Sequence, residues 1–368
     1  MAQLEQVTIQ GFKSIRELIN FKLNKLNVLV GSNGAGKSNF VGFFRLLRAM
    51  AEESLAAFVL EHGRADAFLF NGPKITEEIT SHLVFGANEY RFTLKPTVTG
   101  ELVVSREEVL YRGGGGWALK TTGKPESGLK SWKDERSNWG KYRGPAHYVY
   151  ESVSSWVVYH FHDTSNTAPM RRDQSVRDWR ELQPNAGNIA SFLYRLKSIH
   201  SDHYEQVRYH IQLIAPFFDD FILEPQQGGS AELIRLEWQQ KGSPTPLQPY
   251  QFSDGTIRFI CLATALLQPN PPHTIVIDEP ELGLHPFALN VLAKMLRQAS
   301  GRTQIVVSTQ SSALLDAFEA EDVVVVDREA GASTFHRLDA GSLKEWLEEY
   351  GLGQIWQKNV FKGGPSPE

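Results

Sequence analysis

Gly31-Ser32-Asn33-Gly34-Ala35-Gly36-Lys37-Ser38 is the segment whose residue types and spacing most directly imply chemistry. Glycines spaced in this way let backbone N–H groups converge on anionic oxygens without a Cβ in the way. The lysine brings a positive charge to the same point, and the hydroxyl after it can ligate a divalent cation. The pattern G-x-x-x-x-G-K-[ST] makes a phosphate cradle when a strand precedes it and a helix follows. Both are predicted here. Leu26 to Val30 is a short apolar run, and Phe40, Phe43, Phe44 and Leu47 recur at helical spacing. A helix beginning near Lys37 points its positive end at the anion. The expected nucleotide ligands are therefore Gly31, Asn33, Gly34, Ala35, Gly36, Lys37, Ser38 and Asn39, with Lys37 on the terminal phosphates and Ser38 on Mg²⁺.

A second element supplies acids. Thr274 to Asp278 reads as an apolar strand ending in Asp278-Glu279-Pro280. Successive strand residues point to opposite faces, so two adjacent carboxylates can divide their labour. Asp278 is expected to hold Mg²⁺ through water, and Glu279 to orient or deprotonate an attacking water. Alone, such a pair also fits a strand ending in solvated acids; a phosphate cradle upstream favours the catalytic roles.

Phe252-Ser253-Asp254-Gly255-Thr256 precedes the apolar run Ile257 to Leu267. Ser253 is a good N-cap, Gly255 permits close backbone approach, and a capped helix N-terminus is itself an anion site. This S-x-G resembles the signature motif of ABC ATPases. Pro280-Glu281-Leu282-Gly283-Leu284-His285-Pro286, leading into a helix around Phe287 to Ala299, resembles their D-loop segment. There His285 either contacts the nucleotide site across a dimer interface or caps the turn. The strand Gln304 to Ser308 is followed by Gln310 at the position of the ABC switch residue, where a histidine is usual. An amide can hydrogen-bond phosphate or water but cannot carry a proton.

The resemblance implies ATP and Mg²⁺ as ligands, and Lys37, Glu279 and Gln310 as the catalytic set. In the ABC arrangement the signature helix serves the P-loop of another subunit. Ser253 and Gly255 would therefore complete a partner's site in a closed two-fold homodimer.

Val7 to Ile15, containing Gly11-Phe12-Lys13-Ser14, resembles the opening of RecF and SMC heads. Pro96, the Gly113 to Gly116 run, Pro125, Pro145 and Pro184 exclude long coiled-coil arms. Ile79 to Thr99 and Val103 to Tyr111 read as a β meander, and Asn188 to Phe221 as helical. Val157 to Asp163 resembles the segment after the Q-loop strand of RecF-like proteins, which would put His162 at a Mg²⁺ or water-sensing position. His160 and His162 also fit a two-histidine metal reading.

Between Arg112 and Arg143 lie Lys120, Lys124, Lys130, Lys133, Arg136 and Lys141, interleaved with Trp117, Trp132, Trp139 and Tyr142. This fits a nucleic-acid surface or a soluble, irregular insertion. Arg171, Arg172, Arg177 and Arg180 form a second basic cluster, most simply paired with Asp173, Asp178 and Glu181.

In 368 residues, 41% hydrophobic and 22% charged, the composition excludes general disorder. A net charge of -4 confines any nucleic-acid contact to a local patch. The single Cys261 excludes an intramolecular disulfide and reads as a buried, inert thiol. No signal peptide or membrane span is expected, which points to the cytoplasm.

From Gly11 to Trp356 the ordered motifs are similar to a bacterial family of short ATPases with RecF-like ABC heads. The fold class this implies is α/β: a P-loop NTPase of ABC/RecF type, with a mixed central sheet, an antiparallel meander and a helical signature lobe. Residues 1–110 and 250–368 would form the ATP-binding head, and 111–250 an insertion and helical lobe. Such relatives act beside a small effector protein, TOPRIM-like or another nuclease, in defence against phage or foreign DNA. The expected function is thus an ATPase in a DNA-related process; the alternatives are an ATP-gated scaffold that holds and releases an effector, and a RecF-like repair ATPase.

Overall fold

The computed structural model describes residues 3–114, 116–121, 123–135, 143–228, 231–361 and 363. Arg136, Trp139, Lys141 and Tyr142 of the basic–aromatic stretch lie outside these.

Two six-stranded sheets organise the chain. The central one runs, edge to edge, Ala332–Arg337, Val323–Glu329, Leu26–Val30, Gln304–Thr309, Thr274–Asp278, Val157–Tyr159. Every neighbouring pair is parallel except Val323–Glu329 with Ala332–Arg337, so the sheet is mixed. Its middle strands are apolar runs because both faces are covered, as is usual for parallel strands. Alternate residues feed two separate cores. Val28, Ile277 and Val307 pack against the helical side, while Leu29, Val276 and Val306 pack against the other.

That other side holds the helix Lys37–Ala51 and, beyond it, the second sheet. The second sheet is antiparallel throughout, in the order Ile15–Lys22, Gln6–Phe12, Ile79–Phe85, Asn88–Pro96, Leu102–Tyr111, Ala118–Thr121. The expected meander is thus one edge of a larger sheet. Phe43 stacks on Phe92 of this sheet with ring centroids 6.5 Å apart, and Phe44 meets Trp156 at 5.1 Å. The phosphate-loop helix is therefore wedged between the sheets, which fixes the direction of its N-terminus.

On the helical side, Asp254–Leu267 is buried around most of its circumference, which explains its almost unbroken apolar sequence. Truncating a core residue such as Ile260 to alanine should cost about 2–5 kcal/mol. Ile189–Ile199 and Ser201–Ile214 belong to the same lobe, with Leu193, Val207 and Ile211 in the shared core. Cys261 is fully buried there, and burial pushes its thiol well up.

Two expectations need correction. The helical reading of Asn188 to Phe221 runs too far, because Phe218–Ile222 is a strand paired antiparallel with Glu237–Gln240. Pro216 explains the change, since helices end at or before the residue preceding a proline. The arginine cluster also pairs differently. Arg171 is 7% exposed and reaches away from Asp173, donating to the carbonyls of Thr164, Pro249 and Phe252 and to Asp254 Oδ1. Asp173 instead binds Arg235, and Asp178 accepts from Gln183. A buried guanidinium needs several acceptors, and those carbonyls supply them.

Candidate functional site

The buried strand Leu26–Val30 delivers the chain into Gly31–Gly36, and the helix starts at Lys37. A Cβ on Gly31 would collide with Val326 O. Gly36 has φ +114°, and a Cβ there would collide with the hydroxyls of Ser333 and Ser14. Glycine is thus required by the packing behind the loop as well as by approach to an anion. Ser333 Oγ donates to Ala35 O at 2.5 Å and lies 2.7 Å from Ser14 Oγ, which accepts from Asn39 Nδ2 at 2.6 Å. Residues from the two ends of the chain thereby brace the loop. Asn33, Gly34 and Ser38 face solvent, whereas Lys37 is 5% exposed.

Lys37 Nζ donates to Gly31 O at 2.7 Å and Ser32 O at 3.1 Å. Burial pulls its ammonium below its ordinary pKa, and the charges of Glu279, Asp278 and Glu281 pull the other way. The parallel register shows why the loop and the acids converge: Val30 stands beside Thr309 and Asp278 beside Ser308, so both segments leave the same end of the sheet.

Thr274–Asp278 lies one strand away from Leu26–Val30, separated from it by Gln304–Thr309. Ser308 Oγ on that intervening strand donates to Asp278 Oδ1. Glu279 then turns sharply, with φ +45°, while its N–H still donates to Ser308 O at 2.9 Å. A non-glycine residue held in this region stores strain, commonly about 1–3 kcal/mol, and such positions cluster at functional sites. Gln310 clamps the result: its Nε2 donates to Glu279 Oε1, and its backbone N–H donates to Glu281 Oε1 at 2.8 Å. Burial raises the Glu281 carboxyl above its ordinary value; the Gln310 N–H works against this, and the charge of Glu279 adds to it.

His162 Nε2 donates to the Asp278 backbone carbonyl at 2.9 Å, placing His162 beside the acidic strand end with its side chain exposed. His160 lies 3.3 Å from Val158 O, and burial lowers its imidazole pKa.

Ser253 caps Asp254–Leu267, its Oγ accepting from Thr256 N at 3.2 Å. Gly255 packs against Gly283 O so tightly that a Cβ would collide with it, and Gly283 itself has φ +73°. His285 Nδ1 accepts from Phe287 N at 3.2 Å, so within this chain it caps Pro286–Ser300. Arg258 ties these pieces together. It is 6% exposed and donates to Phe161 O at 2.9 Å, His162 O at 3.1 Å and Leu282 O.

The roles of Ser14, Ser333, Arg258 and Glu281 emerge in three dimensions. Arg258 and Glu281 did leave a signal in the sequence: a charge inside an apolar helix, and a third carboxylate two residues after Glu279. Ser14 stood in the Gly11-Phe12-Lys13-Ser14 segment, though with no hint of its contact with the loop, and Ser333 left no signal.

The all-oxygen donor set of Ser38 and Asp278 suits a hard cation such as Mg²⁺. The glycine loop, with Lys37 at a helix N-terminus, suits a polyphosphate. In the basic stretch, Lys120 pairs with Glu135, Lys130 with Glu53 at 3.3 Å and Arg143 with Asp134 at 2.8 Å. Much of its charge is thus committed within the chain.

Residues 26–316, well over half of the chain, match the family described as "AAA domain, putative AbiEii toxin, Type IV TA system". No curated protein matches the sequence. Two solved SMC heads share the fold. One, an SmcHead bound to the C-winged helix domain of ScpA, is 14% identical with a TM-score of 0.53, over 93% of this chain and 99% of that one. The other is an Smc head with an extended coiled coil, bound to the C-terminal domain of ScpA from Pyrococcus furiosus. It is 15% identical with a TM-score of 0.53, over 95% of this chain and 99% of that one. At these identities the likeness is one of fold, that of an SMC head, here with helices of at most 15 residues among the described residues and no long coiled coil among them.

Proposed function

We propose, from the premise that this chain belongs to the AAA-domain family of AbiEii type, that it binds and hydrolyses ATP as a two-fold homodimer with nucleotide sandwiched between the copies. The observation that carries the nucleotide site is that the glycine loop with Lys37 and the strand end with Asp278 and Glu279 leave the same end of one parallel sheet.

Each residue has a role that follows from its setting. The backbone N–H groups of Gly31–Ser38, with Asn39 beside them, cradle the phosphates, and Lys37 exchanges its loop carbonyls for phosphate oxygens. Ser38 and Asp278 hold Mg²⁺, with His162 beside Asp278. When bound, Mg²⁺ neutralises charge on the terminal phosphates. Glu279 accepts the proton of the attacking water or aligns it, and the Gln310 amide fixes the carboxylate that does so. Because Gln310 cannot take up a proton, it serves as a positioning residue.

The exposed edge of the signature segment supports the dimer. Ser253 and Asp254 are exposed at a capped helix N-terminus, and Leu282 and Phe287 beside them are 40% and 54% exposed. A second copy would use all of these at once, with its P-loop facing Ser253 and Gly255 and its surface covering His285.

The family description names a toxin and a type IV toxin–antitoxin system. We place this chain in such a defence setting, working with a small effector and on or near DNA. No helix among the described residues is long and apolar enough to cross a membrane. The test is light scattering of Glu279→Gln with ATP and Mg²⁺, which should give a stable dimer that disperses when ATP is withdrawn. A monomer under those conditions would remove the sandwich. ATP turnover with and without duplex DNA addresses the setting: stimulation supports a DNA-linked role, and indifference favours the scaffold alternative.

A further inference from the structure

A cavity of about 320 Å³ lies at the opposite end of the central sheet. Among its lining residues are three guanidinium groups, from Arg48, Arg180 and Arg195, against one carboxylate, Glu181. Arg195 lies over Trp179, its Cζ 4.0 Å from the ring centroid. Its Nε is buried with no hydrogen-bond partner, and so is Nδ1 of His273 on the same wall. Both atoms sit within the wall of the cavity rather than at its surface, and they mark polar groups that the fold leaves unpaired there. The rim Pro269-Asn270-Pro271-Pro272 is stiffened by its three prolines.

We propose that this cavity is a second ligand site, taking a small phosphorylated molecule of about mononucleotide size. The volume lies within the range of small-molecule pockets, about 300–1,000 Å³. The chemistry follows from the donors. Guanidinium forks match phosphate oxygens in pairs, and Arg195 already rests against the Trp179 ring, which limits the freedom it would lose on binding. Arg48 is partly committed, to Glu52 at 2.7 Å and Trp156 O at 2.8 Å, which leaves Arg195 and Arg180 as the principal anion ligands.

Its position gives the site a route to the first one. Arg48 stands on the helix that begins at Lys37, about 16 Å along its axis at 1.5 Å per residue. His273 immediately precedes the strand that ends in Asp278. Gln268, also on the wall, closes the helix capped by Ser253. A ligand here therefore touches the far ends of three elements whose near ends build the phosphate site.

The test does not depend on ATP hydrolysis. Calorimetric titration of the full-length Lys37→Ala chain with AMP, and separately with inorganic pyrophosphate, should show one site per chain. Arg195→Leu added to that background should weaken it by at least about tenfold, as expected for losing a charge-assisted pair. Arg180→Ala, at an exposed position, gives the same reading should Arg195→Leu fail to fold. Binding of AMP alone means the nucleoside is recognised, and equal binding of pyrophosphate means phosphate chemistry suffices. Neither probe binding at millimolar concentration, or binding that the arginine substitutions leave unchanged, overturns the proposal.

Discussion

The two six-stranded sheets treat their acids in opposite ways. In the antiparallel sheet, Glu89 and Glu108 lie within strands and are each roofed by cations. Glu108 accepts from Arg91 and from Arg106 at 2.9 Å; Glu89 accepts from Arg112 and lies 2.5 Å from His82. Burial alone would raise both carboxyls, but those hydrogen bonds and charges outweigh it and hold them below their ordinary values. In the central sheet, Asp278, Glu279 and Glu281 stand at a strand end, held chiefly by a serine and a glutamine, with Lys37 nearby. There burial wins, and Glu281 titrates high. A strand buried on both faces has no open surface for polar work, so its chemistry gathers at its ends. A sheet with one open face can spend its acids on pairing, which stabilises and does little else.

The sharpest way to break this comparison is a pair of substitutions. Lys37→Ala should reduce ATP turnover by about 10²-fold or more with little change in melting temperature, since it removes a phosphate-facing charge. Glu108→Gln should leave turnover per folded molecule intact while lowering stability by about 1–3 kcal/mol. Matched losses in both variants would dissolve the distinction.

The pH dependence sharpens it further. Because the folded pKa of Glu108 is depressed, its contribution is full above the ordinary carboxyl range and is lost as pH falls through the folded value. Glu108→Gln should therefore flatten the acid limb of a melting profile below about pH 4. The folded pKa of Glu281 is raised, so its contribution is full at low pH and is lost as pH rises through that value. Glu281→Gln should consequently match or exceed the wild-type melting temperature at pH 7, and a clear loss there would contradict the assignment. The smallest effect is at the cap: Ser253→Ala should cost about 1 kcal/mol in urea unfolding.

The central sheet is also where the sequence is easiest to read. Leu26–Val30 and Thr274–Asp278 have the residues their apolar runs define, and the glycine pattern locates the loop between strand and helix. Ser253 announces its own helix. The elements that escape are those whose reason is remote. Val323–Glu329 and Ala332–Arg337 form a hairpin that places Ser333 behind the phosphate loop, about 300 residues from Ala35. No local pattern carries that information. In Phe218–Ile222 the buried phenylalanines, Phe218 and Phe221, are three residues apart, a helical spacing; a register shift between Phe218 and Asp220 accommodates it in a strand, and Pro216 together with the pairing to Glu237–Gln240 settles the element. The pairing of Arg171 shows the same limit, because neighbours in sequence were not the acceptors its burial required.

The central claim is that each ATP site is built from two copies of the chain, and mixing tests it most directly. Lys37→Ala disables a P-loop, and Ser253→Arg blocks a signature segment, so each variant alone should be inactive. Combined in equal amounts, half the dimers would contain one intact site, and turnover should return to roughly a quarter of wild type under statistical exchange. Recovery near that level is the predicted result. If the mixture stays as inactive as its components while both variants still exchange and dimerise, the shared site is wrong.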